Sequence, residues 1–183
     1  GTCPCCNEHL ETFSHMLTCP NNLNTPHHQV NLDTLQAKLL KTGTPPDIAP
    51  AIIHGISKWC SIQSDPEIQQ KSPTIGSLNP LDIAITQAYS EQTRLIGWDN
   101  LLRGRLSVLW AKAYMTSSSP TSNTKPNSST QVAKAIQCLW EYSQSIWEHR
   151  NGILHGTTIE EAKAKEAAAL QSEITKAYEE YEV

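Results

Sequence analysis

Residues 132–147, VAKAIQCLWEYSQSIW, decide the fold class. Val132, Ala135, Ile136, Leu139, Trp140, Ile146 and Trp147 recur at helical spacing, and the pattern runs on to Asn151–Gly152. No segment of the chain alternates apolar and polar residues with the period of two that a half-buried strand requires. An all-α fold is therefore expected. Downstream, Thr158 with Glu161 spells a capping box, and Ile159, Ala162, Leu170, Ile174, Ala177 and Tyr181 line a last helix whose outer face is dense in Glu and Lys. Upstream, Thr116 to Thr130 is almost all Ser, Thr, Pro, Asn and Lys, which cannot repay the entropy of ordering and reads as a disordered loop.

Further helices are expected before that loop. Trp98, Leu101, Leu102, Arg105, Val108 and Leu109 continue one pattern to about Met115. Leu81, Ile85, Ala88, Gln92 and Leu95 mark another, opened by Asn79 as N-cap, Pro80 and Asp82. Gly97 separates the two, leaving a kinked rod and a tight hairpin as alternatives. Asp65 to Gly76 reads as a connecting loop, and Ile48, Ile52, Ile56 and Trp59 give the core face of a helix over 47–62. Val30, Leu32, Leu35, Leu39 and Leu40 give one more helix, ending at Gly43 before Pro45–Pro46. The expected organisation is a zinc-binding knuckle (1–22), a helical region (23–115), a flexible loop (116–130) and a C-terminal helical pair (131–183) packing on the helical region.

Composition narrows the function. Of 183 residues 38% are hydrophobic and 17% charged, so the core must be economical, and five tryptophans stand against one phenylalanine. Trp59, Trp98, Trp110, Trp140 and Trp147 are accordingly expected to supply much of the buried area. The net charge of -4 argues against a broad footprint on duplex nucleic acid, so any such contact is local, and Arg94, Arg103 and Arg105 form the one modest basic cluster. No apolar run is long enough to span a bilayer, and the N-terminus lacks the pattern of a signal peptide. A soluble protein, intracellular in the cytoplasm or nucleus, with no membrane partner, is expected.

Four of the six cysteines crowd between positions 3 and 19, while Cys60 and Cys138 sit alone in apolar helical patterns, a distribution that suits a metal site better than a disulfide framework. Cys3, Cys6, His15 and Cys19 follow the spacing C-x2-C-x8-H-x3-C. Two cysteines three apart on a turn can direct both sulfurs at one ion, and His15 and Cys19 are one helical turn apart. Four protein ligands close a tetrahedral zinc site and leave no position for a reactive water, so the metal is expected to be structural. Cys5 and His9 remain alternative ligands for Cys6 or His15.

The run CPCCNEHLETFSHMLTCP (3–20) resembles the zinc-binding segment found downstream of the polymerase domain in reverse transcriptases of non-LTR-type retroelements, Glu11-Thr12 and Cys19-Pro20 included. The stretches QTRLIGWDNLLRGRLSVLW and LWEYSQSIWEHRNGILHG are similar to the tryptophan-containing tail of such elements, especially those of protists. This resemblance implies an accessory domain that assists RNA or DNA binding. With no Tyr-x-Asp-Asp and no acidic triad to hold catalytic magnesium, the polymerase would lie in an upstream domain absent from this chain.

Two other functions stay open. Arg150-Asn151 and His155 resemble the Arg-x4-His motif of all-helical HEPN-type ribonucleases, which implies a phosphate-holding arginine and a proton-moving histidine without metal. Residues five apart on a continuous helix point about 140° away from each other, so the pair converges only where Gly152 ends or distorts the helix, or across a dimer. The alternative is that Arg150 and Asn151 finish a helix and His155-Gly156 form its C-cap. The third function is a helical interaction module that self-associates through the last helix.

Overall fold

The computed structural model describes residues 1–3, 5–23, 26–64, 79–117 and 128–181. Among them the protein is all-α, its only bridge being an isolated antiparallel pair, Thr2 with Leu10. In chain order the helices are α1 (Phe13–Thr18), α2 (Pro20–Leu23), α3 (Pro26–Lys41), α4 (Ile48–Ser64), α5 (Pro80–Glu91), a π-helical turn (Gln92–Ile96), α6 (Trp98–Leu102), α7 (Val108–Ser117), α8 (Ser128–His155) and α9 (Ile159–Tyr181). None is long and apolar enough to cross a membrane. Contacts divide the chain into two compact units, Gly1–Ser145 and Ile146–Val183.

In the first unit, α3 ends as its sequence dictates. Gly43 takes φ +96°, its N–H donates to the Leu40 carbonyl, and the Thr44 N–H reaches back to Leu39 at 2.9 Å. This doubly bonded glycine stop satisfies carbonyls that the helix leaves open. The buried Thr44 hydroxyl then meets Tyr114 Oη at 2.9 Å, tying this corner to α7. Helix α4 buries Ile48, Ala49, Ile52, Ile56 and Cys60 along one stripe.

The region after Asn79 corrects two expectations. Asn79 caps α5 as its sequence predicts, with its side chain accepting from the Asp82 N–H at 2.8 Å. The pattern from Trp98 to Met115, however, is two helices, because Gly104 (φ +87°) turns the chain and Ser107 starts α7 by accepting the Leu109 N–H. Of the alternatives at Gly97, the hairpin forms: α5 and α7 pack side by side. Gln92 holds the return. Fully buried, its amide donates to the Gly97 carbonyl at 2.8 Å and accepts from the Ser107 N–H at 3.0 Å, so its polar atoms bridge both ends of the connection. The π turn carries Leu95 off the buried face and leaves it exposed.

The tryptophans also part company. Trp98 and Trp110 are buried and Trp59 is half-buried, but Trp140 and Trp147 are 56% and 50% exposed. The reason is angular. Helix α8 buries Ala135, Cys138, Leu139, Tyr142 and Ile146, and Trp140 lies one residue, about 100°, beyond Leu139.

Most of the expected loop over 116–130 lies outside the described residues, as does the one over 65–76; at the former's ends α7 runs to Ser117 and α8 begins at Ser128. In the second unit α8 continues through Gly152 to His155, beyond the expected end at Asn151–Gly152. Gly156 (φ +90°) donates to the Gly152 carbonyl, and Lys165 Nζ caps the same helix end through the Gly152 and Ile153 carbonyls. The capping box is present in altered form: Thr158 Oγ1 accepts the Glu161 N–H, while the Glu161 carboxylate bonds the N–H and hydroxyl of Thr157.

Gly55 on α4 is where Trp98 seats its ring. A Cβ there would lie 1.9 Å from Trp98 Cη2, so Gly55→Ala must displace the indole. The expected cost is about 1–3 kcal/mol; a Tm equal to the parent's in a thermal melt would contradict this packing.

Candidate metal centre

The N-terminal segment builds its site by folding back on itself. The Cys3 N–H donates to the His9 carbonyl at 2.7 Å and the Glu11 N–H to Gly1 at 3.0 Å, so residues 1–3 and 9–11 run antiparallel. Between them the Asn7 N–H closes onto the Cys3 carbonyl at 2.8 Å, with Asn7 in the left-handed region at φ 57°, a conformation asparagine tolerates better than most residues. This turn sets Cys3 and Cys6 on one side.

The other two donors come from α1. Thr12 is its N-cap, its hydroxyl accepting the His15 N–H at 3.0 Å, and Cys19 is its C-cap. The Glu-Thr-x2-His spacing thus has a local meaning, because the threonine that starts the helix fixes the turn bearing the histidine. Asn21 in α2 ties the chain back to the Cys5 carbonyl.

The four predicted ligands converge. Cys3 Sγ lies 4.0 Å from Cys19 Sγ, Cys6 Sγ lies 3.4 Å from His15 Nε2, and all four donor atoms fall within 4.8 Å of one another. Cys3 and Cys19 are fully buried, Cys6 and His15 partly so, and no cysteine is in a disulfide. Cys5 and His9 are not members of the cluster; His9 instead packs edge-on against the His15 ring at 5.2 Å. Burial raises the Cys3 thiol, but hydrogen bonds from the backbone N–H groups of Cys6 and Cys5 and from the His15 and Cys6 side chains outweigh it, bringing the thiol down from 9.0 to about 6. Amide hydrogens aimed at a sulfur favour the thiolate, the form that binds metal. This donor set could hold a metal ion.

The other singled-out residues fall elsewhere. Exposed Arg94 lines an open groove of about 660 Å³ between α5 and α7 with Glu91, Leu95 and Leu109. Arg103 stacks its guanidinium 4.6 Å above the centroid of Phe13, and Arg105 Nη1 reaches Asn100 Oδ1 at 3.5 Å. Arg150 and His155 both lie on α8, where the helix continues through Gly152, so within one chain their side chains point about 140° apart. Arg150 is buried and His155 exposed. The Phe13–Arg103 contact links the first residue of α1 to the turn after α6, and no spacing in the sequence announces it.

No family model, curated protein or solved structure matches the chain.

Because Thr12 caps the helix that carries His15, Thr12→Ala should weaken α1 by about 0.5–2 kcal/mol. Faster amide exchange over 13–18, with α3 unchanged, is the expected reading; uniform exchange across both helices would contradict it.

Proposed function

We propose that Cys3, Cys6, His15 and Cys19 bind one structural zinc ion, and that the chain is the zinc-stapled accessory domain of a retroelement reverse transcriptase. Its activity is to assist RNA or DNA binding, with no catalysis of its own. The observation that carries the reading is the convergence of the four donors. Zinc–sulfur bonds of about 2.3 Å and zinc–nitrogen bonds of about 2.0–2.1 Å at tetrahedral angles put sulfurs about 3.8 Å apart and sulfur and nitrogen about 3.6 Å apart. The separations of 4.0 Å and 3.4 Å are close to that, and three thiols with one imidazole suit zinc better than calcium or magnesium. The retroelement assignment rests on the resemblance of residues 3–20 and of the two tryptophan-containing stretches. An upstream polymerase domain is the partner this origin implies.

Protein purified without chelator should contain one zinc per chain, and Cys19→Ser should abolish it together with the helicity of the N-terminal segment, since ligation free energy is folding free energy in such sites. Absence of metal, with unchanged structure in a Cys3→Ser, Cys6→Ser double variant, would remove both the site and the origin inferred from it.

Nucleic-acid binding should be modest and local, as the net charge of -4 requires. With two arginines on phosphate, log K against log salt for a single strand should slope at about -1.4, roughly -0.7 per phosphate. A flat salt dependence in fluorescence anisotropy would contradict phosphate binding by the Arg94, Arg103 and Arg105 cluster, of which two members are taken as engaged.

A second reading, a helical interaction module, is favoured by one observation: α9 buries none of its residues and leaves Leu170, Ile174, Tyr178 and Tyr181 exposed. That reading requires concentration-dependent association in sedimentation that Leu170→Glu with Ile174→Glu abolishes.

A further inference from the structure

The Gly104 turn brings an unburied tryptophan and two arginines to one place. A Cβ on Gly104 would stand 3.0 Å from Trp140 Nε1 and 3.1 Å from Cζ2, so the indole of α8 lies directly against the backbone of the turn. With φ +87°, Gly104 is the residue type that permits both the turn and this approach. The indole is thereby seated on the turn, yet Trp140 remains 56% exposed, so part of a large aromatic ring held in place by the backbone beneath it is open to a ligand.

Arg103 and Arg105 flank Gly104 in the chain, and both are exposed. Arg103 lies over the Phe13 ring, which leaves its N–H edge free to bond an anion. Arg105 makes one contact at the outer limit of hydrogen-bond distance, with Asn100. Among the described residues neither arginine is ion-paired with a carboxylate, and Glu141, next to Trp140, is paired with Lys38 at 2.7 Å. The turn thus sets the two arginines on either side, in the chain, of the glycine that carries the indole, with no carboxylate ion-paired to either among the described residues.

We infer that Trp140, Arg103 and Arg105 form a binding site for single-stranded nucleic acid, an unpaired base stacking on the exposed indole while the flanking phosphates are held by the two arginines. The inference rests on the nucleic-acid reading proposed above and narrows it to unpaired strands. In a duplex the base faces are already stacked, so a ring offered at the surface has nothing to take, and two arginines are too few for the charge density of paired strands. Arg94, which lines a groove beside Glu91, is not part of the site.

The test is fluorescence anisotropy with labelled single-stranded RNA, single-stranded DNA and a duplex of the same sequence, using the full chain with its metal retained. Trp140→Ala should weaken single-strand binding roughly 5- to 150-fold, the range for loss of one stacked base. Trp140→Phe should bind nearly as well as the parent but lose the quenching of tryptophan fluorescence that ligand produces, which keeps the test decisive if Trp140→Ala fails to fold. Parent-like affinity in a folded Trp140→Ala variant, undiminished quenching in Trp140→Phe, or equal affinity for the duplex would overturn the site while leaving the broader nucleic-acid reading intact. No binding by the parent chain would overturn both. The RNA and DNA arms assign the strand.

Discussion

Four side chains that can each give up a proton or hold a cation are forced within 4.8 Å of one another at the N-terminus, two of them fully buried. That crowding is the constraint on which the first twenty residues depend. Their apolar contribution to the core is small, essentially Met16 and Leu17 beside the buried cysteines, and too little to repay the entropy of ordering the chain. Without a cation, burying several thiolates together is costly; with one at their centre the same charges become ligands. The amide hydrogens of Cys5 and Cys6, directed at Cys3, already favour the thiolate. The turn through Asn7 and the cap at Thr12 exist to present these donors.

From that knuckle a line of contacts leads into the helical body. Phe13, the first residue of α1, supports Arg103; Gly104 follows and supports Trp140. The α1 helix also packs on α4, whose Gly55 receives Trp98. Two glycines thus seat two tryptophans, with different results. Trp98 is sealed inside, its Nε1 bonded to Thr93 at 3.1 Å, and works as packing. Trp140 rests on a surface turn and stays half open. Tryptophan offers large area at little entropic cost, so the same residue type is sealed in a core or left at the surface according to what lies around it.

The hairpin of α5 and α7 shows how a polar side chain can organise a connection. Gln92 is buried with its amide satisfied from both sides, by the Gly97 carbonyl and the Ser107 N–H. Replacing either partner would strand a polar group in the core, so the connection is specified as well as stabilised. The π turn that starts at this residue also shifts the helix register, which moves Leu95 into solvent and opens the groove beside Arg94.

The all-α class, the cap at Asn79 and the stop at Gly43 were legible in the sequence because each depends on residues close along the chain, and the Cys3, Cys6, His15 and Cys19 cluster was legible because all four fall within one short segment. Spacing favoured Cys3, Cys6, His15 and Cys19 but left Cys5 and His9 as alternatives, and it is the fold of the segment that gathers the first four donors and leaves the other two outside the cluster. Spacing could not separate Leu139 from Trp140. Both fit a generous helical stripe, and only the neighbours packed on α8 decide which side of it is buried. Nor could it bring Phe13 to Arg103 or Gly104 to Trp140, because those contacts join segments far apart in the chain. The sequence by itself determined the all-α class, the caps at Asn79 and Gly43 and the crowding of donors in the knuckle; tertiary structure decided where the helix after Trp98 breaks and which tryptophans are core, because local periodicity is written along the chain and burial is settled across it.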